Sequence, residues 1–305
     1  MALSTRAIRR RIKSVKNTNK ITKAMELVSA SKMRKAVSSV LMSKPFAKLA
    51  WDTVSSIGGV IDVSLHPLLR KNQKSGRNLL ILLTSDRGLA AGFNANMLKK
   101  MNLLVKEVGT ENIDVVAVGR KGADAARRLG VNLIASFTGI TNNPKFEEIL
   151  PIGKMATEEF VKEKYDHVFL AYTDFVSAIK QEPVVLELLP LGAENDFYRI
   201  GNVSGQNPSS PSIPLSSSTP KEYKFEPSPE EVLNKLLPRL VETMVYQSVL
   251  ESAASEHSSR MLAMRNASDA ASDMIDSLTF TYNQFRQAAI TREIAEISGG
   301  KAALE

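Results

Sequence analysis

The chain has 305 residues, of which 43% are hydrophobic and 24% charged, with a net charge of +8 and no cysteine. That length can bury a core in one large domain or two small ones, and the missing cysteines exclude disulfides, thiolate catalysis and thiol switching. No run of about 18 apolar residues occurs, which excludes a membrane-spanning helix.

The charge is concentrated at the start. The first 36 residues carry Arg6, Arg9, Arg10, Arg11, Lys13, Lys16, Lys20, Lys23, Lys32, Arg34 and Lys35 against Glu26 alone. This exceeds the whole net charge, so the remainder is slightly acidic. Such a segment suits nucleic acid, anionic lipid or an acidic protein. It also imitates a mitochondrial transit peptide, yet no cleavage-like break separates it from the helical pattern running on through Met25 and Met33. Between Ala2 and Val40 there is no aromatic residue for stacking on bases, which favours an acidic protein surface over nucleic acid.

From Ser4 or Thr5 as cap to Gly58, nothing but Pro45 interrupts a helical pattern. Its apolar positions run Ile8, Ile12, Val15, then Ile21, Met25, Val28, then Met33, Val37 and Val40 with a shift of phase, alternating threes and fours as a coiled-coil seam does. Pro45 is expected to kink this helix.

The middle alternates strand and helix. Continuous apolar runs at Asn78–Thr84, Ile113–Gly119 and His167–Thr173, with weaker ones at Asn132–Phe137 and Val184–Leu189, predict buried strands. Helical patterns fall at Ala90–Val108, Lys121–Leu129 and Phe146–Lys164. The alternation predicts βαβ units and a mainly parallel, Rossmann-like sheet. A Ser/Pro-rich stretch, 201–227, follows.

Ser228, Pro229 and Glu230-Glu231 then form a helix start: cap, first-position proline, and acids at the positive end of the dipole. The pattern runs to about Ser298, with Pro238 predicting a bend. Its seam is Leu233, Leu237, Leu240, Met244, then Met261, Met264, Ser268, Ala271, Ile275, Leu278, Tyr282, Phe285 and Ala289. Between these it turns small and polar at Gln247, Glu251, Ala254 and Ser258. That stretch is expected to pair weakly and to be shared with a surrounding partner. At 1.5 Å per residue the two terminal helices would be roughly 80 and 100 Å long. The C-terminal end, with Ala288, Ala289, Ile290, Ile294, Ala295 and Ile297, is apolar around most of its circumference. It is expected to outrun its partner helix and to need a socket in another chain.

Signs of catalysis are few. His66, His167 and His257 are isolated, and no cluster has metal-ligand spacing. Ser85–Asn94 lies where a doubly wound fold puts its phosphate loop, but its glycines are spaced G-x-x-x-G and no acid follows the second strand to hold a ribose. A tight strand-to-helix turn, with Asp86 and Arg87 pairing locally or with a partner, is the preferred reading, and a nucleotide site the lesser one.

Several motifs together resemble one family. Lys20-Ile-Thr-Lys-Ala-Met-Glu-Leu-Val-Ser-Ala-Ser-Lys-Met-Arg-Lys35, Ser85–Asn94, Glu256-His-Ser-Ser-Arg-Met-Leu-Ala-Met264 and Ile290-Thr-Arg-Glu-Ile-Ala-Glu-Ile297 are similar, in order and across the chain, to the gamma subunit of F-type ATP synthases. The resemblance implies a non-catalytic rotor without cofactor. Its terminal helices (1–58 and 228–298) would form an antiparallel coiled coil within a ring of three alpha and three beta subunits. Its α/β domain (76–200) would pack beside the epsilon subunit and the membrane c-ring, and proton or sodium flow would turn it. It implies that Lys23 and Met25 face the acidic lever loop of beta, that Arg260 makes a polar catch with the ring, and that Gln287, Thr291 and Glu293 sit near the upper bearing. Tyr223 and Glu226 would lie at the foot near the c-ring. The complex would be peripheral, on the cytoplasmic face of the inner membrane. With the first motif close behind Met1, the chain is expected to be bacterial, or organellar without its presequence. A basic coiled-coil scaffold for nucleic acid or anionic membrane, and a nucleotide-binding α/β enzyme with helical arms, are the alternatives.

Overall fold

A computed structural model describes residues 5–58, 66–72, 75–191 and 228–302. The chain divides into two compact units, Met1–Ser29 with Met261–Glu305, and Ala30–Arg260. The long helices α1 (Thr5–Gly58) and α5 (Pro229–Ala302) each contribute a stretch to both.

In the larger unit, β1 (Asn78–Leu83), β2 (Ile113–Val118), β3 (Asn132–Phe137), β4 (His167–Phe175) and β5 (Gln181–Leu189) form one sheet in the order β3-β2-β1-β4-β5. The first four strands are parallel, as expected, and β5 returns antiparallel on β4. Connecting helices are α2 (Phe93–Val108), α3 (Arg120–Leu129) and α4 (Phe146–Val161). Because side chains alternate along a strand, β1 feeds two cores. Leu79, Ile81 and Leu83 pack with Ile152 and Phe160 of α4 and Leu237, Val241 and Met244 of α5. Leu80 and Leu82 pack with Met97 and Met101 of α2 and Ala123 and Ala126 of α3. Both central strands are therefore buried along their full length, which is why they read as continuous apolar runs.

Element boundaries moved where backbone geometry overruled hydropathy. α2 starts at Phe93 instead of Ala90 because Leu89 and Ala91 take left-handed φ values of 61° and 45°, which a helix cannot include. α4 stops at Val161, short of Glu163 with φ 58°. β5 begins three residues early, at Gln181, because pairing with Phe175 carries polar residues into the ladder. Ser228 caps α5 as expected, its Oγ accepting from the Glu231 amide at 3.3 Å.

One carboxylate inside the sheet is structural. Asp114 accepts from Arg77 at 2.6 Å, Tyr165 at 2.7 Å and Asn132 at 2.9 Å. Burial pushes its carboxyl up, but these donors outweigh burial and hold it below the usual range.

In the smaller unit the two helices run antiparallel. Arg9 donates to Tyr282 Oη at 2.9 Å, and Asn19 donates to the Ser268 carbonyl at 2.7 Å. The seam of α5 is the expected one from Met264 to Tyr282. That of α1 is not. Ile21 and Val28 are 60% and 54% exposed, while Asn19 is half-buried and Thr22 and Ser29 are buried. The spacing Ile8, Ile12, Val15, Asn19, Thr22, Ser29 keeps one phase throughout. The expected phase shift came from following apolar residues where the helix instead turns hydroxyls and an amide inward. Thr22 and Ser268 satisfy each other across the seam, Oγ1 to Oγ, at 2.7 Å.

Candidate functional site

The turn that follows β1 is tied by its own groups to the ends of β2 and β3. β1 and β2 end so close together that a Cβ on Gly119, which has φ 97°, would lie 2.1 Å from the Thr84 carbonyl oxygen. Thr84 Oγ1 accepts the Gly122 amide at 2.8 Å. Asp86 accepts the Arg120 amide at the start of α3 at 3.0 Å and the Gly139 amide at 2.8 Å. The positive end of the α3 dipole therefore already has its anion. Asn94 closes the turn against Ser85, its amide donating to Ser85 Oγ at 2.7 Å. This is the tight turn expected from the sequence, with Asp86 pairing locally and the side chains of Arg87 and Leu89 exposed.

Behind the turn stands Arg260 of α5, 8% exposed. Its guanidinium pairs with Glu256 at 2.7 Å and donates to the carbonyls of Arg87 and Gly88 at 3.3 Å each. Burial pushes the Glu256 carboxyl up, against the pull of Arg260. Arg260, expected to reach a partner, thus spends its donors within its own unit, holding the turn from Ser85 to Asn94.

The polar middle of α5 is buried by the chain itself. From Gln247 to Arg260 no residue is exposed. Ser252 Oγ accepts the Thr173 amide at 3.0 Å, and Ser255 Oγ donates to the Thr173 carbonyl at 3.2 Å. Ser258 donates to the Ala178 carbonyl, and Ser259 to Gln181 Oε1 at 3.1 Å. On another side Ser43 of α1 donates to Gln247, and Ala36 packs with Ala253 and Ala254. The expectation that this stretch is shared with an outside partner is therefore corrected. Small hydroxyl residues let the helix approach β4 closely enough to bond its backbone, so burial there is polar and internal.

The remaining candidates lie in the smaller unit. Lys23 is exposed and pairs with Glu26 at 2.9 Å, and Met25 is half-buried. Gln287, Thr291 and Glu293 are all exposed. So is the apolar end of α5, with Ile290, Ile294 and Ile297 at 49%, 59% and 68%. Tyr223 and Glu226 fall outside the described residues.

The histidines are three separate cases. His66 is buried, its Nδ1 accepting the Leu68 amide at 3.1 Å, and burial pushes its pKa down. His167 bonds Glu187. His257 is buried, and burial first, then Arg260 and Lys32, lower its pKa to about 4. Among the described residues no group of three His, Cys, Asp or Glu could hold a metal, and no helix is long and apolar enough to cross a membrane. Sequence reasoning missed the serine ladder on β4. Its only signal was the density of serines, at 248, 252, 255, 258 and 259, in a helix otherwise rich in leucine and methionine.

Comparison with known proteins covers the whole chain. The profile of the family described as ATP synthase matches residues 4–304. The ATP synthase gamma chain of Herpetosiphon aurantiacus is 42% identical over 99% of both chains. That of Pelotomaculum thermopropionicum is 40% identical, again over 99% of both. Among solved structures, the central stalk and c-ring of the Tetrahymena thermophila mitochondrial ATP synthase contains a chain 26% identical to this one. It matches with a TM-score of 0.59, over 81% of this chain and 99% of that one. A Euglena gracilis mitochondrial ATP synthase chain shares the fold, with a TM-score of 0.63 over 98% of this chain and 94% of that one at 19% identity.

Proposed function

The chain belongs to the ATP synthase gamma-chain family, and from that premise we propose that it is the central rotor subunit of a rotary ATP synthase. It couples ion flow through a membrane c-ring to the conformational cycle of a catalytic alpha/beta ring. Its partners are three alpha and three beta subunits, an epsilon subunit and the c-ring. The chain itself makes and breaks no bond. Its work is to bias partner sites among discrete states according to its angle. The complex is peripheral to the membrane, on the cytoplasmic side in a bacterial cell.

The observation that carries this reading is the end of α5. Ile290, Ile294 and Ile297 are exposed together in the motif Ile290-Thr-Arg-Glu-Ile-Ala-Glu-Ile297. An apolar surface offers non-directional contact that costs little to rotate within a collar. Gln287, Thr291 and Glu293 line the same segment as the polar part of that bearing. Lys23 and Met25 meet the acidic lever loop of beta. An exposed pair such as Lys23–Glu26 is worth about 0–1 kcal/mol, so Lys23 exchanges it readily for a partner carboxylate. Arg260 contributes to the catch by holding the turn that offers Arg87 and Leu89 outward. Tyr223 and Glu226 serve the foot near the c-ring. The scaffold alternative, raised from charge alone, receives no support from the relatives.

Co-expression with ATP synthase alpha and beta subunits tests the proposal. A stoichiometric complex with ATPase activity is expected. Failure to form one, with all three chains soluble, would overturn it.

A further inference from the structure

In the smaller unit, α1 carries more apolar residues than its pairing with α5 uses. On the side turned to α5, Asn19 is half-buried, Thr22 and Ser29 are buried, and Thr22 bonds Ser268. At about 100° per residue, Ile21, Ala24 and Val28, spaced by three and then four, share a face on the far side of the helix. Ile21 and Val28 are 60% and 54% exposed, and Ala24 is exposed. Leu27, 62% exposed, stands one turn beyond Ala24. All four belong to the smaller unit. Single exposed apolar residues are ordinary, but a contiguous stripe of them marks a contact with another chain.

Three details describe what covers the stripe. First, Lys13, Lys16, Lys20 and Lys23 run along one border at spacings of three, four and three, and all are exposed. Second, Lys13, Lys16 and Lys20 form no ion pair among the described residues, and Glu26, the only acid between Thr5 and Lys35, is taken by Lys23 at 2.9 Å. The border therefore keeps its positive charge and is complementary to carboxylates. Third, Lys23 and Met25 are two residues apart, which sets them about 200° apart around the helix. Residues so spaced do not face the same way. Passing from Lys23 to Met25 across the exposed side, the helix presents Ala24, Val28 and Ile21 in between. A single partner segment that reaches both Lys23 and Met25 must lie across the stripe.

We propose that Ile21, Ala24 and Val28 are the centre of the contact between α1 and an acidic, partly apolar segment of the surrounding ring. Lys23 and Met25 are its two shoulders, and Lys13, Lys16 and Lys20 hold the partner's carboxylates along one side. Burial of the stripe supplies the adhesion, and the lysine border supplies the choice of partner and its orientation. The inference rests on the rotor reading, which provides the ring, and adds which residues of α1 meet it.

The chain has no cysteine, so a single introduced thiol reports its own position. Ile21→Cys, Val28→Cys and, for comparison, Asp273→Cys on α5 are alkylated with a maleimide, in the isolated chain and in the complex co-expressed with alpha and beta subunits. All three positions are exposed, so the variants retain the fold. In the complex, alkylation at 21 and 28 is expected to slow at least about tenfold, an equilibrium cover of roughly 1.4 kcal/mol or more, and at 273 to slow less. Equal slowing at all three positions reports general shielding and overturns the proposal. So does unchanged alkylation at 21 and 28 in a complex that forms, an outcome that leaves the rotor reading standing, whereas failure of the wild-type complex removes both. Lys20→Glu, added to Ile21→Cys, is expected to restore about tenfold of the lost reactivity by setting like charges face to face. No restoration overturns the acidic partner. Slowing that grows with the concentration of the isolated chain would assign the stripe to a second copy and overturn the proposal as well.

Discussion

Residues 241–260 and 283–298 belong to one helix and depart from hydropathy in opposite directions. The first stretch holds Glu242, Gln247, Glu251, Glu256, His257, Arg260 and five serines, and all but Tyr246 is buried. The second holds Phe285, Ile290, Ile294 and Ile297, and all of it is exposed. Burial in the first is stabilised by directional bonds to one strand and one turn. Exposure in the second leaves a surface without directional partners. A helix fastened by hydrogen bonds cannot turn about its own axis relative to the sheet without breaking several of them, whereas an apolar surface resists no particular angle. The lesson is that polarity here marks where the helix must not slip.

The comparison is most easily broken at Arg260. Arg260→Ala leaves Glu256 buried without its counter-ion, and about 3 kcal/mol of stability should be lost, measured by denaturant unfolding of the full chain. A loss within error would mean that the pair is not a fastening. Acidification should cost about 1–2 kcal/mol between pH 7 and pH 5 through His257. Its folded pKa of about 4 lies below the unfolded value near 6.5, so the unfolded chain binds the extra proton in that window. Stability is therefore full above the unfolded value and falls as pH drops. Glu256, whose carboxyl is raised, acts with the opposite sign, so the difference between wild type and His257→Gln isolates the histidine. An identical pH profile in the two would refute the assignment. Ser252→Ala deprives the Thr173 amide of its acceptor and should cost about 1–2 kcal/mol. At the other end, replacing Ile290, Ile294 and Ile297 together with serine should change the stability of the isolated chain by less than about 0.5 kcal/mol. A larger loss would show that these residues pack on their own chain.

Much of the fold was legible in the sequence because its signals are local. Strands β1, β2 and β4 announced themselves by continuous apolar runs, β3 and β5 more weakly, and Ser228 with Pro229 announced the start of α5. The seam of α5 from Met264 to Tyr282 was legible because its apolar residues and its packing coincide. The seam of α1 was misread because apolarity and packing separate there, with Ile21 outward and Thr22 inward. That choice depends on Ser268, which lies 246 residues away. The serine ladder was illegible for a related reason. Three of its bonds end on backbone groups of Thr173 and Ala178, which leave no trace in composition, and a fourth ends on the Gln181 side chain. Arg260 and the turn it holds were both noticed, yet their contact spans more than 170 residues of sequence and has no periodicity to betray it.

The bond between Thr22 and Ser268 sets the longitudinal indexing of the two helices. A heptad seam repeats every seven residues, so a purely apolar one would tolerate sliding by a whole repeat. Such a slide would set Thr22 opposite Ile275, with Ser268 facing Ser29, or opposite Met261, with Ser268 facing Val15, so that one or both hydroxyls meet hydrocarbon, at about 1–3 kcal/mol each. Asn19, bonded to the Ser268 carbonyl and to Ser272, adds a second tooth to the same index. Within the smaller unit the two helices therefore keep one alignment, and an axial push on one is passed to the other instead of being lost in a slide.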